Sequence, residues 1–229
     1  MAPKQETDLI RARLKTPRAA AIAGILFSVL LIAGLLLFRL SVRADPLEAG
    51  AWLKTRSNTI ALALNLVPFA GIAFLWFIGV LRDRLGELED RFFATVFVGS
   101  GLLFVAMLFA SAAIGGGIVI AYAAKPAELL DSPTFTFARA ATYEIMNLYA
   151  ARMAALFMGS TSTLAIRTGI MARWMAFLGY AFALFLLLSG RNIEWILMLF
   201  PIWVLLISIH ILIDNLRRSP QSAETSPGT

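Results

Sequence analysis

Long uncharged runs alternate with short polar segments along this chain, and the first run sets the scale. Residues 19–38 carry no charge. A helix of about twenty apolar residues, rising 1.5 Å each, covers ~30 Å of hydrocarbon. Five basic residues precede the run (Lys4, Arg11, Arg13, Lys15 and Arg18), and Arg39 and Arg43 follow it. A cleavable signal has an apolar core of ~7–15 residues. The longer run therefore predicts a retained spanning helix behind a basic tail, residues 1–18.

The same pattern repeats five more times. Residues 39–58 form a polar connection, in which Asp45-Pro46 resembles a helix start and Trp52 an interfacial anchor on a short surface helix. Residues 59–81 make a second span, closed by the dense charges of 82–91. Residues 92–124 are uncharged throughout, too long for one perpendicular crossing. With no polar turn in the middle, they predict one tilted helix that protrudes or breaks at Gly115-Gly116-Gly117. Ser132-Pro133 predicts a second capped start, followed by a fourth span at 141–166. A fifth at 174–189 and a sixth at 193–213 flank the short turn Gly190-Arg191-Asn192, and residues 214–229 form a polar, disordered tail. Trp174, Trp195 and the pair Phe135/Phe137 read as interface anchors. Pro201 predicts a kink near Leu197.

Composition agrees with lipid as the main solvent. The chain of 229 residues is 59% hydrophobic and 15% charged, with a mean hydropathy of +0.79. Soluble domains carry about a quarter charged residues, so too little polar surface is available here for a water-facing shell. The expected fold is all-α: a polytopic membrane protein with a bundle of about six transmembrane helices.

Charge placement suggests the orientation. With the N-terminus inside, the cytoplasmic segments hold twelve lysines and arginines and the outer connections seven. That excess favours both termini inside, although Arg39, Arg43, Lys54 and Arg56 fall on the outer side. The net charge of +6 flanks apolar runs and does not line one face, so it points to anionic lipid at the basic tail and not to nucleic acid. Sixteen arginines against four lysines are in keeping with a GC-rich bacterial genome and so with a bacterial inner membrane.

Several chemistries are disfavoured. There is no cysteine and a single histidine, His210, so one chain supplies no thiolate, no bis-histidine haem and no HExxH zinc site. Gly99-Ser100-Gly101 lacks the first glycine of a nucleophile elbow, the residue there being Val98. No cofactor or metal is expected. His210 reads as an interfacial residue, and Ser160-Thr161-Ser162-Thr163 as hydroxyls bonding back to their own helix.

The fourth span is where polar chemistry concentrates. At 100° per residue, Glu144, Ala151, Ala155 and Ser162 fall near one line, a small-residue stripe that admits a close neighbour. Arg152 stands near mid-span, where a charge costs ~2.5–3.5 kcal/mol on insertion scales. Asn65 on the second span and Ser111 on the third fall in the same outer half, and Pro68 frees a carbonyl near Asn65. Asn65, Ser111, Glu144, Asn147 and Arg152 thus form the candidate site. Either they brace the helices by hydrogen bonds or they converge on one ligand pocket, and bracing is the preferred reading.

Three functions remain in view. The first is a non-enzymatic membrane component acting through helix packing, with a membrane-protein partner or as a homo-oligomer. The second is a small permease or ligand-binding protein using the outer-half pocket around Glu144 and Arg152. The third, an intramembrane enzyme with Glu144 as acid or base, lacks a second catalytic group.

Overall fold

In hydrocarbon every backbone N–H and C=O must find a partner within the protein, so apolar runs of this length fold as helices. The structure is a computed structural model that describes residues 3–42, 50–85, 91–169, 172–189 and 195–221, with side chains placed for 19–42, 50, 53–82, 95–169, 172–189 and 195–216. These residues form α1 (Pro3–Ser41), α2 (Ala51–Leu85), α3 (Arg91–Ala124), α4 (Pro126–Leu130), α5 (Pro133–Glu144), a π-helical segment (Ile145–Ala150), α6 (Ala151–Thr168), α7 (Arg173–Leu188), a 3-10 turn (Ile196–Met198) and α8 (Leu199–Gln221). The described fold is all-helical.

Four stretches are long and apolar enough to cross a membrane: Ala19–Ser41, Leu53–Arg82, Thr95–Ala124 and Ile196–Leu216. Of the six expected spans, the fourth and fifth fall outside that set. Residues 141–166 are divided among α5, the π segment and α6, and α6 carries Arg152 and Arg167. α7 is apolar but has only 16 residues, about 24 Å of helix.

Ring contacts and glycine notches give the packing. α2 runs antiparallel to α1, since Gly34 lies against the carbonyl of Ala63 while Phe27 packs on Phe74. α3 reverses again, with Gly101 against Ile78 and Gly115 against Leu64. α5 and α6 reverse once more: Phe97 stacks on Phe157, and Ser111 meets Thr142. α8 descends beside α1, placing Phe200 on Phe27 and Ser208 on Gly24. The start of α1 and the end of α8 therefore share one end of the bundle. A Cβ at Gly24 would run into the Ser208 hydroxyl and the Phe77 ring, so only glycine permits this approach.

The centre is aromatic. Phe74 touches Phe27, Phe77, Phe104, Phe157 and Phe200 with ring centroids 4.5 to 6.1 Å apart. Most of these pairs are tilted or edge-on, as the ring quadrupole prefers. Five helices are pinned at this one level.

Local expectations fare unevenly. Ser132 caps α5 by accepting from the Thr134 N–H at 3.1 Å, with Pro133 at the first helical position. Ser160, Thr161 and Thr163 donate to carbonyls of their own helix, but the buried Ser162 hydroxyl does not and lies against Gly179 of α7 without a partner among the described residues. α3 is the single helix expected over 92–124 and continues unbroken through Gly115-Gly116-Gly117; Gly115 is filled by contacts with Leu64 and Thr142, and the helix stops where Pro126 intervenes. Three readings need correction. Pro201 lies in the first turn of α8, where a missing N–H costs nothing, so it marks a start and not a kink. Phe135 is buried beside Leu53 and Ile118 and only Phe137 is exposed, because α5 turns one ring inward. Trp52 belongs to the continuous helix α2 and not to a separate surface helix. Asp45-Pro46, the turn at Gly190-Arg191-Asn192 and the tail beyond residue 221 lie outside the described residues.

Candidate functional site

The polar centre of the fold forms where α1 ends against α5 and the π segment. Arg39, the basic residue in the last turn of α1, suits the negative end of that helix. Its guanidinium lies over the Tyr143 ring, 5.4 Å from the centroid, and donates to Oδ1 of Asn147. Asn147 Nδ2 in turn donates to the carbonyl of Tyr143 at 2.9 Å. One arginine thus engages a ring face and an amide on the next polar turn, a cation–π contact joined to a charge-assisted hydrogen bond. Beside it, Arg56 of α2 donates to the carbonyl of Leu40 at 2.5 Å, satisfying an end group of α1.

Asn147 falls within the π segment. An i→i+5 turn accommodates one residue more than a regular helical turn and re-aims the side chains after it. Of the small-residue stripe, Ala151, Ala155 and Ser162 lie beyond this segment and are buried, so Glu144, before it, is the member whose phase the extra residue shifts. Glu144 is half-buried and engaged by a neighbour.

A small apolar cavity of about 30 Å³ adjoins the cluster, lined by Leu35, Phe38, Leu108, Ser111, Thr142 and Met146 among others. Arg39, Tyr143 and Asn147 follow Phe38, Thr142 and Met146 in the chain but do not themselves line this space. Ser111 is buried, and its hydroxyl donates to the Thr142 carbonyl at 2.9 Å. That volume admits little beyond water.

The five residues expected together are dispersed. Ser111 lines the cavity, Asn147 follows the lining residue Met146 in the chain, and Glu144 lies one turn before Asn147. Asn65 sits on the exposed side of α2 and Arg152 on the exposed side of α6, and neither lines the cavity. The sequence signal that could have found Arg39 is its position, directly after a membrane-length run; its partner, 108 residues away, left no local trace.

Arg152 occupies an unusual place. Arg39 brings the end of the apolar run of α1 level with Tyr143 and Asn147. Arg152 lies five to nine residues beyond those two, about 8–14 Å farther along the helix axis. Arg167, the next charge, follows fifteen residues later. Its neighbours at helical spacing, Tyr149 and Leu156, are likewise exposed. Among the described residues no hydrogen bond or ion pair engages the Arg152 guanidinium. Comparison with protein families, with curated proteins and with solved structures finds no match to this chain.

Proposed function

We propose that this chain is a multi-pass protein of a bacterial inner membrane that works without catalysis, by binding another membrane protein through its lipid-facing surface. Six crossings are inferred: the four long apolar stretches, the path from α5 through the π segment into α6, and α7. Alternating helix directions, with the start of α1 and the end of α8 at one end, support that even number. The lysine and arginine excess supports placing that end in the cytoplasm, with anionic lipid against the basic tail.

The observation that carries the reading is the filled interior. Where a permease needs a hydrated route, the rings of Phe27, Phe74, Phe104, Phe157 and Phe200 occupy the meeting point of five helices. Polar side chains buried between the helices include Ser28, Ser100, Ser162 and Ser208, all small hydroxyls, and no charged residue is buried among the described residues. Binding through the outer surface is what remains chemically favoured.

A second reading draws on the Arg39 cluster. A guanidinium one residue beyond the cavity-lining Phe38 suits an anionic head group on a small apolar body, which would make the chain a ligand-binding membrane protein. The cavity would have to open to receive it.

Extraction of the protein from its native membrane into lipid nanodiscs, without detergent, tests the primary reading. The expected result is a stoichiometric complex with a second membrane protein. A lone chain that conducts small solutes in reconstituted vesicles would contradict it.

A further inference from the structure

We infer that the exposed seam of α6 around Arg152 docks a transmembrane helix of a different protein, one carrying a carboxylate near mid-membrane. This inference rests on the partner-binding reading above and names the chemistry of that partner.

The seam has the spacing of a helix-pairing surface. Tyr149, Arg152, Leu156 and Gly159 recur at intervals of three and four residues, as the contact positions of paired helices do, and farther along Thr163 is taken by α7 through the Tyr180 hydroxyl at 2.7 Å. Tyr149, Arg152 and Leu156 are exposed. Gly159, one position along the seam from Leu156, has open space where a Cβ would stand. Glycine at such a place lets a neighbouring backbone approach closely.

Charge decides the partner. A cation turned outward at this depth has no water, and among the described residues no carboxylate answers it. An acidic side chain on an apposed helix would neutralise it and accept its forked donors. A second copy of this chain is a poor source. Residues 19–38, 59–81, 92–124 and 174–189 contain no Asp or Glu, the one carboxylate of 193–213 is Glu194 at its very start and away from mid-span, and Glu144 is engaged and eight residues away, about 12 Å along the axis. The complementary charge must come from another sequence.

A synthetic single-span peptide, leucine-rich with one central Glu, is the probe. Versions with Gln or Leu at that position are the controls. Full-length protein is labelled with a donor through Ser222→Cys, the chain having no cysteine of its own, and is reconstituted with acceptor-labelled peptide at pH 8. Energy transfer should show the Glu peptide binding about fivefold to thirtyfold more tightly than the Gln peptide, the range expected for one polar contact of ~1–2 kcal/mol between membrane helices. Arg152→Leu should abolish the preference, and Arg152→Glu should transfer it to a peptide with a central Lys. Equal binding of all three peptides, with Arg152 reaching lipid phosphate instead, overturns the inference. So does a Glu preference that survives Arg152→Leu, or self-association of the chain that Arg152→Leu removes. The nanodisc complex is read independently. If it persists while the peptides are not discriminated, only this docking face is rejected.

Discussion

Arg39 shows how far a single side chain can be misjudged from its sequence neighbourhood. As the first charge after an apolar run it reads as an interfacial stop, yet it ties α1 to the π segment through Asn147 and Tyr143. Removing it leaves the Asn147 carbonyl oxygen without its donor in a half-buried site. Arg39→Ala should therefore lower stability, and a double-mutant cycle with Asn147→Ala should give a coupling of about 0.6–1.7 kcal/mol, the range found for polar contacts between membrane helices. Reversible unfolding in mixed micelles measures it; additive single-mutant effects would mean the contact is incidental. The polar character of Ser111 and Asn147 was legible because so few such residues interrupt the apolar runs. That Ser111 would choose the carbonyl of Thr142 was not, since partner choice across 31 residues is set by packing.

At the scale of elements, periodicity carried the reading wherever a helix stayed regular. Of the stripe through Glu144, Ala151, Ala155 and Ser162, the three residues in regular α6 are buried and Glu144, across the π segment, is half-buried. Arg152 lies some 60–80° from that stripe, the angle at which a side chain passes from the packed face to the surface. The π segment just before it adds a change of phase that no regular period anticipates. A test of this geometry follows. Deleting Tyr149 from the π segment should convert it to regular helix while leaving α5 and α6 in their present phase. Deleting Leu156, within regular α6, rotates every later residue by 100° and turns Ser160, Thr161 and Leu164 from their neighbours. The first variant should insert and remain monodisperse, and the second should aggregate. Equal behaviour in size-exclusion chromatography would mean that the π segment absorbs no extra residue.

At the scale of the whole molecule, the fold class was the most legible property, because long uncharged runs leave the backbone no alternative to helix. Span lengths were less so. α1 and α2 extend well past their apolar runs into residues that composition assigns to connections, and α7 is shorter than a standard crossing. The convergence of five phenylalanines was invisible, since aromatic residues scattered over five helices meet only after those helices pack. Together these features describe a bundle with an aromatic centre and Arg152 displayed on the flank of α6. A nitroxide on Arg152→Cys reports that placement directly through its collisions with oxygen, which concentrates in lipid, and with a nickel chelate, which stays in water. Frequent oxygen and rare nickel collisions are predicted; rare collisions with both, or frequent ones with nickel, would contradict an outward-facing Arg152 at membrane depth.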